Sequence, residues 1–200
     1  MRIVAGRFRG RAIAGPSTPA IRPTSDRLRE TIFNILEHAY GDPIADARVL
    51  DLFAGTGAMG FEALSRGAAF CLFVDQGAEA RSLIRGSIEA FGCGGETRLF
   101  RRDATKLGEV KPLAPFSLVF CDPPYGKGLV PRAITSAQAG GWLAPEALLV
   151  VEEAASADFA FPQGITEIER RKQGDTLIAF GRVGYRLFLL PFTGEGARTQ

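Results

Sequence analysis

Asp51-Leu52-Phe53-Ala54-Gly55-Thr56-Gly57-Ala58-Met59-Gly60 decides the fold. It closes an apolar run, residues 48–53, and opens a stretch of helical composition, residues 59–66. A glycine-rich turn between a buried strand and a helix is the ligand-binding corner of a doubly wound α/β sheet. Gly55, Gly57 and Gly60 make a literal G-x-G-x-x-G, and Asp75 ends the next apolar run. An acid at that position binds ribose hydroxyls in such folds.

On either side of this corner the chain alternates two kinds of segment. Residues 48–53, 70–75, 97–103, 116–122 and 147–153 read as buried strands; 59–66, 79–91 and 130–139 read as helices, with a poorly defined crossover near Leu107. This alternation predicts a parallel sheet covered on both faces. Residues 176–183 and 185–192 are β-rich and separated by Gly184 alone, too close for a crossover helix. They predict an antiparallel hairpin after the five parallel strands. Before the sheet, Leu28, Ile32, Ile35 and Leu36 give one apolar face to a helix with Thr24 or Ser25 as N-cap and Asp26 in its first turn. Segments 3–5 and 12–14 read as a short strand or hairpin bearing arginines. The expected division is a basic extension over 1–40, a sheet domain over 41–193 and a disordered tail over 194–200.

Composition narrows the chemistry. Of 200 residues, 46% are hydrophobic and 23% charged, enough apolar mass for the core of a soluble domain. The longest apolar run, 68–74, is too short to cross a bilayer, and the arginine-rich start does not read as a signal peptide. His38 is the single histidine, which excludes histidine-based triads and multi-histidine metal sites. Cys71, Cys93 and Cys121 lack metal-ligand spacing and read as buried reduced thiols, so the expectations are no metal and a cytoplasmic location. The net charge of +2 is uneven: residues 1–30 hold seven arginines against Asp26 and Glu30, a surplus of five, leaving the remainder at minus three. A basic arm on a near-neutral body suits a polyanion. Arg7, Arg9 and Arg11 alternate and would share one face of a strand. With Arg22 and Arg27 they are the candidate RNA contacts, although Arg22 or Arg27 could instead bridge to Asp26, Glu30 or Glu62.

Asp51 separates two ligands that the glycine loop alone cannot. A dinucleotide places a pyrophosphate here, which a carboxylate at the strand end would repel. S-adenosyl-L-methionine has no phosphate; its sulfonium and ammonium groups favour nearby carboxylates, and the loop has no Lys or Arg to neutralise phosphate. The candidate cofactor wall is therefore Asp51 for the methionine amino end, the loop residues Phe53, Ala54, Gly55, Thr56 and Gly57, Asp75 for the ribose with Gln76 next to it, and Asp103 and Ala104 for the adenine edge. A second motif, Asp122-Pro123-Pro124-Tyr125, ends the fourth strand. Asp122 and the Pro123 carbonyl supply two acceptors, the prolines stiffen the segment and donate nothing, and the Tyr125 ring can stack on a flat base.

Four stretches carry a family likeness: MRIVAGRFRGRAIA at 1–14, RPTSDRLRETIFN at 22–34, DLFAGTGAMGFEALSRG at 51–67 and VFCDPPY at 119–125. Together they resemble the RsmD-like 16S ribosomal RNA (guanine-N2)-methyltransferases over about residues 1–192. The resemblance implies a Rossmann-like class I methyltransferase sheet, S-adenosyl-L-methionine as cofactor, and a guanine of small-subunit 16S rRNA as substrate. It implies Asp122, Pro123, Pro124 and Tyr125 as the catalytic slot, and the expected working form is a monomer. Gly86-Ser87 departs from the pattern, since these proteins usually carry an asparagine before the Ile-Glu pair. The slot alone would equally serve adenine or a protein glutamine, and a non-catalytic RNA-binding assembly factor is the reading from another class.

Overall fold

The computed structural model describes residues 1–16 and 25–184. Its helices are α1 (Asp26–Ala39), α2 (Ala58–Ser65), α3 (Ala78–Phe91) and α4 (Leu129–Ala139). Its strands are β1 (Arg48–Leu52), β2 (Phe70–Val74), β3 (Thr97–Phe100), β4 (Phe116–Cys121), β5 (Leu143–Ala154), β6 (Ile165–Gln173) and β7 (Thr176–Val183). They form one sheet in the order β3-β2-β1-β4-β5-β7-β6, with the first five parallel and the last two joined antiparallel.

Side chains alternate across a strand, and here each parity feeds its own layer. Val49, Phe73, Phe120 and Val150 face a core completed by α1, α2, α3 and Ile3, Phe8 and Ile13 of the amino-terminal segment. Leu50, Leu72, Val119 and Leu149 face a second core completed by α4, Leu107 and Trp142. Both faces are therefore covered, which is why the central strands are apolar throughout rather than alternating with polar residues.

The terminal hairpin differs from the expectation. Residues 176–183 do form a strand, but its hairpin partner precedes it: β6 pairs with β7 on one side while β5 pairs on the other. Gly174, at φ 59, opens the two-residue turn between β6 and β7, where a positive φ is required. β6 reads ITEIERRKQ and lies at the sheet edge; its charges are the ordinary protection of an exposed edge, and they hide it from an apolar-run search. Residues 185–192, Thr24 and the expected tail lie outside the described residues.

Ser25 caps α1, accepting from the Leu28 amide at 3.1 Å. Leu28, Ile32, Ile35 and Leu36 are buried as their spacing predicts. The expected strand carrying Arg7, Arg9 and Arg11 is instead a turn, closed by an isolated antiparallel bridge between Arg2 and Ala12. Three arginines in a turn share no strand face. Arg7 pairs with Glu96, and Arg11 donates to the Ala90 carbonyl and lies over the Phe91 ring. The Arg9 side chain makes no hydrogen bond or ion pair among the described residues, and its amide donates to the Gly6 carbonyl at 3.1 Å.

A fully buried carboxylate ties this segment down. Glu62, on α2, accepts from the amides of Val4 at 2.9 Å and Ala5 at 3.0 Å, from Arg66 Nε at 2.9 Å and from Arg29 Nε at 3.2 Å. Arg29 also reaches Asp26 and the Arg2 carbonyl, so the bridge considered for Arg27 is made by its neighbour two residues on. Four charge-assisted bonds satisfy a carboxylate that would otherwise be costly to bury. Replacing Glu62 with alanine removes the buried one of Arg29's two carboxylate partners and leaves only the exposed Asp26. The expected loss is about 3–5 kcal/mol of unfolding free energy, with faster tryptic cleavage within residues 1–11. Chemical denaturation and limited proteolysis measure both.

Candidate active site

All five parallel strands present their carboxyl ends at one edge. From β1 the chain moves to β2 on one side, while β4 lies on the other, so the connections diverge and leave a crevice between β1 and β4. A cavity of about 520 Å³ opens there. Its walls come from the ends of β1 (Asp51, Phe53), β2 (Val74, Asp75), β4 (Asp122) and β5 (Glu152).

The glycine loop forms one wall. Phe53 adopts φ 58, a left-handed conformation rare for an aromatic residue, at the turn out of β1. Ala54, Gly55 and Thr56 follow it along the cavity. Gly57 does not line it. At φ 77 it caps α2, and a Cβ there would lie 2.7 Å from the Phe61 ring. Gly60 is the closest approach of α2 to the sheet, where a Cβ would meet the Phe73 ring at 2.4 Å. Gly57 and Gly60 thus both permit the close seating of α2.

Asp51 is buried, and its Oδ2 accepts the Gly60 amide at 3.0 Å, in the first turn of α2. It therefore caps the helix and lines the cavity at once. Burial pushes its carboxyl up to about 8; Asp75 adds to the rise and the Gly60 bond opposes it. Asp75 accepts from the amides of Gly55 at 2.9 Å and Gly77 at 2.7 Å, which ties the loops after β1 and β2 together. Gln76 lies beside it on the wall. Asp103 accepts from the Thr105 amide and hydroxyl, both at 2.8 Å, capping a 3₁₀ turn at Ala104–Lys106. Ala104 and Arg102 line the cavity at that end.

Asp122, Pro123, Pro124 and Tyr125 all line the opposite wall. The Tyr125 hydroxyl donates to Glu152 Oε1 at 2.6 Å, with Thr176 Oγ1 at 3.5 Å. Burial and this bond push the phenol above its usual range, so it stays a donor. Glu153, next on β5, accepts the Gly126 amide at 3.0 Å. β5 thus grips the motif loop with two consecutive acids that the sequence reading passed over as a strand end. The signal was present: two carboxylates closing the run LLVVEE need partners if buried. Arg27 forms no ion pair among the described residues, and Arg22 lies outside them.

These walls suit a cationic ligand without phosphate. Carboxylates from β1 and β2 stand where a pyrophosphate would otherwise sit. No group of three His, Cys, Asp or Glu among the described residues could hold a metal, and no described helix is long and apolar enough to cross a membrane.

Strand order and site define a class I methyltransferase fold. A magnesium protoporphyrin IX methyltransferase from Synechocystis, solved with bound SAM, shares it at a TM-score of 0.59 with 14% identity, over 79% of each chain. The family described as Conserved hypothetical protein 95 matches residues 1–182, and the chain belongs to it. Ribosomal RNA small subunit methyltransferase D of Escherichia coli K12 is 36% identical over 198 residues, 98% of this chain and 92% of that protein. A solved Escherichia coli structure superposes with a TM-score of 0.78 and 32% identity, covering 92% of this chain and 98% of that one. The chain is a methyltransferase.

Folded Asp51 holds its proton to about 8, whereas an unfolded aspartate loses it near 3.8. This group therefore favours folding fully below the lower value, and the advantage is lost as pH rises through the higher one. A cation placed against Asp51 reverses the preference. Binding of S-adenosyl-L-methionine at about pH 7 is expected to release a substantial fraction of one proton, and affinity rises toward about pH 8. Calorimetric titration in buffers of different ionisation enthalpy reads the proton directly; zero release removes Asp51 from the binding site.

Proposed function

We propose that this protein transfers a methyl group from S-adenosyl-L-methionine to the exocyclic N2 of a guanine in 16S rRNA of the small ribosomal subunit. The observation that carries the reading is the acceptor-only slot, Asp122-Pro123-Pro124-Tyr125, opening into the same cavity as Asp51 and Asp75. The small-subunit methyltransferase relative supports the choice of rRNA. The work is cytoplasmic, performed by a monomer.

When bound, S-adenosyl-L-methionine supplies an electrophilic methyl group. The chain's residues do the rest. Asp51 accepts hydrogen bonds from the ammonium end and Asp75 from the ribose, while the Phe53–Thr56 turn shapes the wall between them. Guanine N2 is a poor nucleophile because its lone pair is delocalised into the ring. Asp122 and the Pro123 carbonyl accept its two hydrogens, drawing the nitrogen toward sp3 geometry and freeing that pair. The Asp122 carboxylate then stabilises the positive charge on the attacking nitrogen. Holding both reactants in line supplies much of the acceleration. Tyr125, fixed by Glu152, stacks against the base, which must leave its own stack to enter.

Arg9 and Arg27 are the described arginines of the amino-terminal region best able to meet RNA phosphates, since Arg7 and Arg11 are engaged within the protein. Such contacts set register without reading sequence.

Labelled methyl transfer to unmethylated small subunits and to free 16S rRNA, followed by nucleoside digestion, tests the activity. The label is expected in N2-methylguanosine. Asp122→Ala should lower turnover about 100- to 1,000-fold with cofactor affinity changed less than about threefold. Label in methyladenosine or in protein glutamine contradicts the proposal, and equal loss of turnover and cofactor affinity moves Asp122 into the cofactor site.

A further inference from the structure

We infer that Glu152 selects guanine, by accepting the N1 hydrogen of the base whose N2 amino group Asp122 holds. The inference rests on the guanine reading above and deepens it, because the Asp-Pro-Pro-Tyr slot alone does not separate guanine from adenine.

Glu152 stands where this task requires it. β4 and β5 are parallel neighbours with Cys121 opposite Val151, so Asp122 and Glu152 follow at the next step of adjacent strands. Neighbouring strands lie about 4.8 Å apart, and residues at matching positions point to the same side. Both side chains line the cavity. Glu152 is only 8% exposed, and its Oε1 takes the Tyr125 hydroxyl, the residue that stacks on the base.

The chemistry of the edge then decides the guest. Guanine presents two adjacent donors, N1–H and the N2 amino group. Adenine presents an amino group beside N1, which is itself an acceptor and meets a carboxylate unfavourably. A wall made of Asp122, the Pro123 carbonyl and Glu152 accepts at every position, which matches guanine and repels adenine.

The test uses small-subunit rRNA assembled by ligation with either guanine or 2-aminopurine at the methylated position. 2-Aminopurine keeps the 2-amino group but lacks the N1 hydrogen. The ratio of kcat/KM between the two bases is compared across unmodified enzyme, Glu152→Gln and Tyr125→Phe. Glu152→Gln retains an acceptor for the Tyr125 hydroxyl, so melting temperature and cofactor affinity serve as controls. The guanine preference is expected to shrink about 10- to 100-fold in Glu152→Gln, the worth of one good base-edge contact, and to persist in Tyr125→Phe. A preference in Glu152→Gln within about twofold of the unmodified enzyme overturns the inference. So does an equal loss in Tyr125→Phe, which leaves Glu152 as a support for the tyrosine alone. An unmodified enzyme that methylates no guanine overturns the parent reading, and this one falls with it.

Discussion

Four carboxylates crowd one edge of a parallel sheet, and the site is the consequence of how that crowding is relieved. Asp51, Asp75, Asp122 and Glu152 come from the ends of β1, β2, β4 and β5 and border a single cavity. Their mutual repulsion and desolvation are costly in a partly buried cleft. Asp51 answers by keeping its proton until about 8 and by accepting the Gly60 amide. Asp75 spends its oxygens on two loop amides, and Glu152 takes a phenol. What remains is a surface that welcomes cations and amino groups and turns phosphates away, the selectivity a sulfonium donor and an exocyclic amine both require.

One short helix links this cleft to the amino-terminal arm. Gly60, in the first turn of α2, holds Asp51, and Glu62 two residues later holds Val4, Ala5 and Arg29. The arm is thus part of the core, with Ile3, Phe8 and Ile13 packed under the sheet face. An interaction that fixes the arm also fixes the helix end that supports the cavity wall. Damage to Glu62 therefore reaches the site through packing rather than through any ligand contact.

Much of this was legible in the chain. The apolar runs gave every parallel strand because both sheet faces are buried, and the Asp51 and Asp75 positions followed from the loop between strand and helix. The Asp-Pro-Pro-Tyr motif is local, so its residues fall together on the cavity wall. What stayed hidden depends on tertiary partners. Glu152 and Glu153 look like a strand end until the motif loop folds against them. β6 carries the charges of an edge strand and so lacks an apolar signature. Asp103 also caps its own Thr105 amide, a short-range bond that no spacing rule reveals. The part Gly57 plays in seating α2 beside Phe61 depends on a side chain met only in the fold.

The most direct test of the acidic edge is a crystal structure of the protein with S-adenosyl-L-methionine. The account places the ligand's amino group at Asp51, its ribose hydroxyls at Asp75, and its methyl-bearing sulfur open toward Asp122 and Tyr125. A ligand seated outside the β1–β4 crevice, or one whose methyl faces away from Asp122, contradicts it.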